Sequence, residues 1–327
     1  MQEKLMRLGR AALAAAGAAC IAMAAMAQSA FPTRPLKLIV PFPAGGSSDI
    51  LGRTFAEKVQ AELGQAVVVD NRAGGNTVIG TQAAASSKPD GYTILQVTPN
   101  TVIVGSLQAN LPYALERDFT PLVGVGAVPL LLAVPAKSNI KSIADLVAIA
   151  KASAGGASYA SGGIGSLGHL APARFVQNLK ITGTHVPYRG VGPAIQDVAA
   201  GRVDFMFVSS LEGMQMAKSG MIRVLGVTSR KRLPSLPETP TMAELGFPDF
   251  EPVVWYGFVV PAGTPPDIRD RLAKAFAKAA NDPVVNERLG ALGLTVEVRG
   301  AADFGKYIQA ETMRWSRVVK DNNIRME

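Results

Sequence analysis

The chain has 327 residues, 48% hydrophobic and 18% charged, so it holds ample apolar material for a sizeable core and falls outside the disordered classes. That length exceeds what one core ordinarily serves, which points to two domains or one large α/β domain. The formal net charge is +8, but the longest basic run, Arg230-Lys231-Arg232, has no interleaved aromatic residues. It reads as a solvated surface, and nucleic acid is not an expected partner.

The first 27 residues read as a secretory signal. Lys4, Arg7 and Arg10 precede an alanine-rich apolar run over 11–27, and Ala25-Met26-Ala27 supplies the small-x-small exit before Gln28. The run is short for a bilayer span and no stop-transfer pattern follows. Cys20, the one cysteine, lies inside it, and Gly17 stands where a lipid-attachment signal prefers a larger aliphatic residue. The expected mature chain starts at Gln28 outside the cytoplasm with no thiol, hence no disulfide and no cysteine-ligated metal. It keeps 30 basic and 24 acidic residues.

Beyond residue 35, strand-like and helix-like runs alternate, as in an α/β protein with mostly parallel sheets. Residues 36–41 form the first predicted strand. A Gly-rich turn follows, then a helix with Ile50, Leu51, Phe55, Val59 and Leu63 along one side. Strands are predicted at 66–69 and, after the turn Pro89-Asp90-Gly91, at 93–97. Residues 123–134 make an extended apolar segment interrupted by Pro129. The strand, Gly-rich turn and helix order then restarts at 158–161, with further strands at 184–186 and 205–208 around a helix ending at Ala200. A second extended apolar segment spans 253–261. Helices are predicted at 266–280, 283–292 and 301–321, with Pro265, Pro266 and Pro283 where helix starts tolerate proline. Two α/β units joined by two extended crossings imply two hinged lobes, the C-terminal helices returning to the first.

The two Gly-rich turns carry the chemistry. In VPFPAGGSSDILGR (40–53), Gly45 and Gly46 admit close backbone approach, and Ser47, Ser48 or Asp49 can cap the next helix. In GGIGSLGHL (162–170), Ser166 is the natural cap. Each turn points free N–H groups and a helix dipole above its strand, which is an anion seat. Thr98-Pro99-Asn100, Tyr188-Arg189-Gly190 and Val208-Ser209-Ser210 also follow strands and belong to the same rim. No Asp or Glu occurs from Leu146 to Gln196, a stretch that holds Arg174, Arg189 and both histidines, and this local positive surplus suits an anionic small molecule.

Enzyme readings fare worse. Gly163-x-Gly165-x-x-Gly168 is a formal dinucleotide fingerprint, but no acid follows before Asp197 to hold a ribose. No Walker loop and no GxSxG elbow occurs. His169 and His185 lack metal-ligand spacing, and His169 suits helix packing better than base chemistry. Asp204 could touch a ligand or serve as a structural partner. Trp255 and Tyr256 could wall the cleft or pack the hinge. No catalytic residue, metal or cofactor is expected.

The blocks VPFPAGGSSDILGR, NRAGGNTVIG (71–80), PDGYTILQV (89–97), GGIGSLGHL, HVPYRGVGPAIQD (185–197), GRVDFMF (201–207), VTSRKRLPSLPETPTMAELGFPDFE (227–251) and WYGFVVPAGTP (255–265) resemble the Bug receptors, periplasmic solute-binding proteins of tripartite tricarboxylate transporters. The resemblance runs from about Pro32 to the C-terminus. It implies a two-lobed, type II-like periplasmic binding protein, with residues 28–127 and 255–327 in one lobe and 128–254 in the other. It also implies a pincer on one ligand carboxylate, made by residues 42–49 (Phe42, Gly45, Gly46, Ser47, Ser48, Asp49) and 161–166 (Ser161, Gly162, Gly165, Ser166). Thr98, Tyr188, Arg189 and Ser209 would read the rest of the ligand, with Asp204 a further candidate. Arg189 suits a second carboxylate. Ser47-Ser48 stands where a proline-threonine pair would suit amino-acid binders, by analogy with the family. With no second acid near either pincer to hold an ammonium, Asp204 being the nearest candidate, the expected ligand is a dicarboxylate or aromatic acid rather than an amino acid. A monomer serving transporter membrane subunits is expected. The rival reading is a secreted hydrolase or lyase of small carboxylic acids, and a weaker third is a structural surface protein.

Overall fold

The computed structural model describes residues 31–321, apart from 109 and 292, together with residue 324. The expected signal segment and Cys20 lie outside the described residues. Ten strands follow in chain order: β1 (Leu36–Val40), β2 (Val67–Asn71), β3 (Thr93–Val97), β4 (Phe119–Pro135), β5 (Ala157–Ser161), β6 (Gly183–Pro187), β7 (Phe205–Ser209), β8 (Ile222–Val227), β9 (Val253–Pro261) and β10 (Thr295–Gly300). The helices among the described residues are α1 (Ser47–Leu63), α2 (Val78–Ala85), α3 (Pro99–Leu107), α4 (Leu115–Asp118), α5 (Ile143–Ala152), α6 (Leu167–Leu179), α7 (Val191–Ala199), α8 (Ser210–Lys218), α9 (Pro266–Ala280), α10 (Pro283–Gly290) and α11 (Ala301–Asp321). None is long and apolar enough to cross a membrane.

The strands run in the order β2-β1-β3-β9-β4-β7-β5-β6, with β8 and β10 also pairing β4. Within each lobe the core strands are parallel, β1 with β2 and β3, and β5 with β6 and β7. β4 ties the lobes together. Its residues Phe119 to Pro129 pair antiparallel with β9, and from Leu130 onward its partners are β7 and β8. This 17-residue strand is longer than the predicted segment at both ends because Pro129 falls at the change of partners, where a missing N–H breaks no long ladder. The return crossing runs through residues 251–252, and β9 belongs wholly to the first sheet.

Helix periodicity explains the packing of both lobes. Leu51, Phe55, Val59 and Leu63 of α1 are buried, and Gly64 ends the helix at φ 70°, which only glycine adopts freely. Phe55 meets Phe258 and Phe276, whose rings lie 4.1 Å apart; each buried aromatic contributes roughly 1.5–3 kcal/mol. α11 buries Phe304, Ile308, Glu311, Trp315 and Val319 along one stripe. The acid on that stripe accepts hydrogen bonds from the Trp255 and Trp315 indoles, both at 3.0 Å, so Trp255 packs the first lobe and does not wall a cleft. Gly257 must lack a side chain, since a Cβ there would lie 2.1 Å from the Phe304 ring.

Candidate ligand cleft

The carboxyl ends of β1, β3, β5 and β7 face the junction of the lobes; β3 and β7 run almost straight into α3 and α8, whereas β1 and β5 reach α1 and α6 through the Gly-rich turns 41–46 and 162–166. On the first lobe the Gly-rich turn passes through Gly45 at φ 83°, and the residue preceding α1 is Gly46, not a serine. Ser47, Ser48 and Asp49 are all buried in the first turn. The Asp49 carboxylate accepts from Gly45 N at 2.9 Å, from Arg53 Nε and from Asn71 Nδ2. Burial pushes its pKa up, yet those donors outweigh burial and leave it below the usual carboxylate range. Asn71 also donates to Phe42 O, which fixes the turn's entry.

The seat opposite carries a carboxylate from the same chain. Ser209 precedes α8 and accepts from Leu211 N, Leu211 packs into the first lobe's core, and Glu212 thereby reaches across to accept from Ser47 N at 3.1 Å. The expectation of a free Ser47 N–H is therefore corrected, and so is that of no second acid near either pincer. Burial pushes the Glu212 carboxyl up, with Ser47 opposing. Among the described residues no lysine or arginine pairs with it. Beside it, the fully buried Tyr256 hydroxyl approaches Ser47 and Ser48 without completing a hydrogen bond, and the Thr98 hydroxyl, 1% exposed, is likewise unpartnered.

On the second lobe the loop is braced from beneath. The Ser161 hydroxyl donates to Gly163 O, accepts from Gly163 N and lies 2.7 Å from His185 Nε2. It is committed within the loop, as is the Ser166 hydroxyl, which donates to Gly163 O and makes no cap bond to α6. Gly165 N donates to His169 Nδ1 at 3.0 Å. Burial holds His169 at about 3 and His185 at about 4, so both rings are neutral. Gly165, at φ 73°, is where a Cβ would lie 2.2 Å from Leu107 of the first lobe.

The lobes touch directly across the cleft. Asn76 Nδ2 donates to Gly165 O at 3.0 Å, and Leu167 N donates to Asn100 Oδ1 at 3.0 Å. Asn76 and Thr77 sit at φ 51° and 84°, the latter strained for a β-branched residue. A cavity of about 340 Å³ opens beside this contact, lined by Asn76, Gly162, Gly163, Ile164, Pro187, Tyr188 and Arg189. Tyr188 donates its hydroxyl to Asp197 at 2.7 Å, and Asp197 also pairs with Arg202. Arg189 is exposed and forms no hydrogen bond or ion pair among the described residues. Asp204 is a correction. It stands at the amino end of β7, away from the cleft, and its carboxylate takes Ser158 N at 2.7 Å and Ser158 Oγ at 2.6 Å.

Two α/β lobes around one cleft, joined by a strand that serves both sheets, define a solute-binding protein. The chain belongs to the tripartite tricarboxylate transporter family of receptors, whose model matches residues 51–324. It is 40% identical over 89% of its length to a UPF0065 protein from the tcbD-tcbE intergenic region of Pseudomonas sp. strain P51, covering 87% of that relative. Among solved structures, the periplasmic binding protein BugD superposes with a TM-score of 0.84 at 33% identity over 91% of this chain and 100% of that one. An R. palustris protein with adipate gives 0.85 at 33% identity over 90% of this chain and 99% of that one.

Sequence reasoning put Asn100 on the rim and missed Asn76 and Glu212. Asn76 had a signal, since it sits in a Gly-rich turn after a strand. Glu212 had none, because its partner lies 165 residues away.

Proposed function

We propose that this chain is a periplasmic receptor that captures a small organic carboxylate between its lobes and delivers it to transporter membrane subunits without chemically changing it. It enters the periplasm through its first 27 residues and works as a monomer. The observation that carries the reading is the unpaired Arg189 guanidinium beside the point where a Gly-rich loop from each lobe meets the other, since a planar cation facing a cavity suits a carboxylate. Residues 42–49, Thr98, Gly162, Tyr188 and Ser209 complete the walls, with Ser161, Gly165 and Ser166 shaping the second loop. The relative with adipate supports a carboxylate as ligand.

A thermal-shift panel of carboxylates and their methyl esters tests the reading. At a hundredfold excess over Kd a ligand adds about 2.7 kcal/mol of stability, and acids should raise Tm where neutral esters do not. Arg189→Ala should weaken the acids roughly tenfold, about 1.4 kcal/mol, a modest loss because the side chain is solvated. Equal shifts with esters, or consumption of any panel member, defeat the proposal.

A further inference from the structure

Two acids meet at the turn before α1, and their surroundings differ. Asp49 accepts from Gly45 N, Arg53 Nε and Asn71 Nδ2, and the Arg53 cation 3.0 Å away helps to keep it ionised. Glu212 arrives from α8 of the other lobe and accepts from Ser47 N at 3.1 Å, and among the described residues no lysine or arginine pairs with it. It lies deep between the lobes, where burial pushes its carboxyl up. Desolvation with no cation to offset it favours the neutral acid, and two carboxyl groups in such different surroundings divide into one ionised and one protonated form. A protonated carboxyl has an O–H to give. With Oε1 accepting from Ser47 N, the proton belongs on Oε2.

Hydroxyls complete the same corner. The Tyr256 hydroxyl is unpartnered in a residue only 1% exposed, faces Ser47 and Ser48, and keeps its proton because burial raises it far above neutrality. Thr98, equally buried, stands in the register position opposite Tyr256, since Val97 pairs Gly257. A buried hydroxyl without a partner is costly, so its place in a native fold calls for a group to meet it. An acid O–H and a phenol O–H beside a helix start are all able to donate, and an ionised carboxylate accepts from several donors at once. A hydrogen bond from an O–H to such an anion is roughly twice as strong as one between neutral groups.

We propose that Glu212 binds the ligand as a neutral carboxylic acid: it crosses from the second lobe to the turn before α1 and donates its Oε2–H to the ligand carboxylate held there, with the Tyr256 hydroxyl as a second donor. Glu212 comes from one lobe, Tyr256 and the turn from the other, so the carboxylate seat is completed only when the lobes meet. Arg189, beside Gly162 and Gly163 on the second lobe, stays available to the ligand's far end. This rests on the carboxylate-receptor reading and deepens it by naming the donor that closure brings to the carboxylate.

Infrared difference spectroscopy on the intact mature protein at pH 7, wild type against Glu212→Gln, tests the proposal with adipate, succinate and benzoate as probes. The wild type should show the C=O stretch of a protonated carboxylic acid, absent from the variant, and a bound probe should move that band to lower frequency as the O–H takes up a stronger hydrogen bond. In calorimetry Glu212→Gln, whose amide still donates, should bind the acids within about threefold of wild type, whereas Glu212→Met, of similar length with no donor, should lose at least about tenfold, or about 1.4 kcal/mol. A residue that merely braces Ser47 would leave the band unmoved by the probes. A wild type without the acid band, a band that no bound acid moves, or full affinity in Glu212→Met overturns the proposal and leaves the carboxylate reading standing. The wild-type band decides by itself if Glu212→Met folds poorly, and failure of every acid to bind overturns both.

Discussion

His169 and His185 stack with centroids 3.7 Å apart and planes 4° from parallel, and each holds up the second-lobe loop through one ring nitrogen. His169 accepts from Gly165 N, so its own proton sits on Nε2, and protonating Nδ1 would set a donor against a donor. Burial lowers both histidines, to about 3 and about 4 from the ordinary 6.5, and His185 adds to the lowering of His169. The unfolded chain therefore binds more protons below pH 6.5, and stability falls as pH drops from there toward pH 4. The loss should be on the order of a few kcal/mol at pH 4. His169→Asn, which keeps an acceptor near Gly165, should give a shallower fall. Melting temperatures at intervals from pH 7 to pH 4 check this, and a variant as steep as wild type would place the acid sensitivity elsewhere. The sequence marked His169 as a packing residue from its place early in a helix, and read both rings as lacking metal-ligand spacing. Their pairing was not legible, because it depends on β5 and β6 lying in register, Tyr159 opposite His185, with α6 folding back above them.

At the scale of elements, the junction between lobes is pinned by a single hydroxyl. Thr228, 1% exposed, follows β8; its N donates to Leu130 O at 3.0 Å, and its hydroxyl accepts from Leu130 N at 2.8 Å and donates to Pro252 O at 2.7 Å. Both crossings are thereby tied at the residue where β4 changes partners. Thr228→Val keeps the volume but strands Leu130 N and Pro252 O, and should cost on the order of 2–4 kcal/mol in urea denaturation. A loss under about 0.5 kcal/mol would show that water replaces the hydroxyl and that the junction is looser than drawn. The elements themselves were largely legible: β1, β3, β5, β7 and β9 and the three C-terminal helices stand where β-branched runs and apolar periodicity put them. The helices α2, α3, α4, α5 and α8 and the strands β8 and β10 were not marked. α3 and α8 follow strand ends without a linker, so their first turns read as rim loops, and β10 is short and mostly exposed, its alternation resting on only Val296 and Val298. The cap of α1 misled for a similar reason, since Ser47, Ser48 and Asp49 are all good caps in isolation. The turn places them one residue inside the helix because Asp49 folds back onto Gly45 N.

For the whole molecule, closure is held by polar contacts that are few and separable. Asn76 to Gly165 and Leu167 to Asn100 bridge the lobes at 3.0 Å each, and each is made to a backbone group of the second-lobe loop. A net hydrogen bond of this kind contributes about 0.5–1.5 kcal/mol, small enough to open thermally yet enough to tilt the balance between open and closed forms. These two asparagines stand apart from Arg189 in what they read: they sense that the lobes have met, not what lies between them. Asn76→Ala with Asn100→Ala should therefore weaken every ligand by a similar factor, about 5- to 100-fold for two such bonds, and leave the ranking among ligands unchanged. The unliganded variant should show a larger radius of gyration by small-angle scattering, and saturating ligand should shrink it toward the wild-type value, because the rest of the interface still assembles once the cleft is filled. Selective loss of one ligand class would instead make the asparagines direct contacts, and unchanged scattering with unchanged affinity would mean that the Glu212–Ser47 contact alone holds the lobes together.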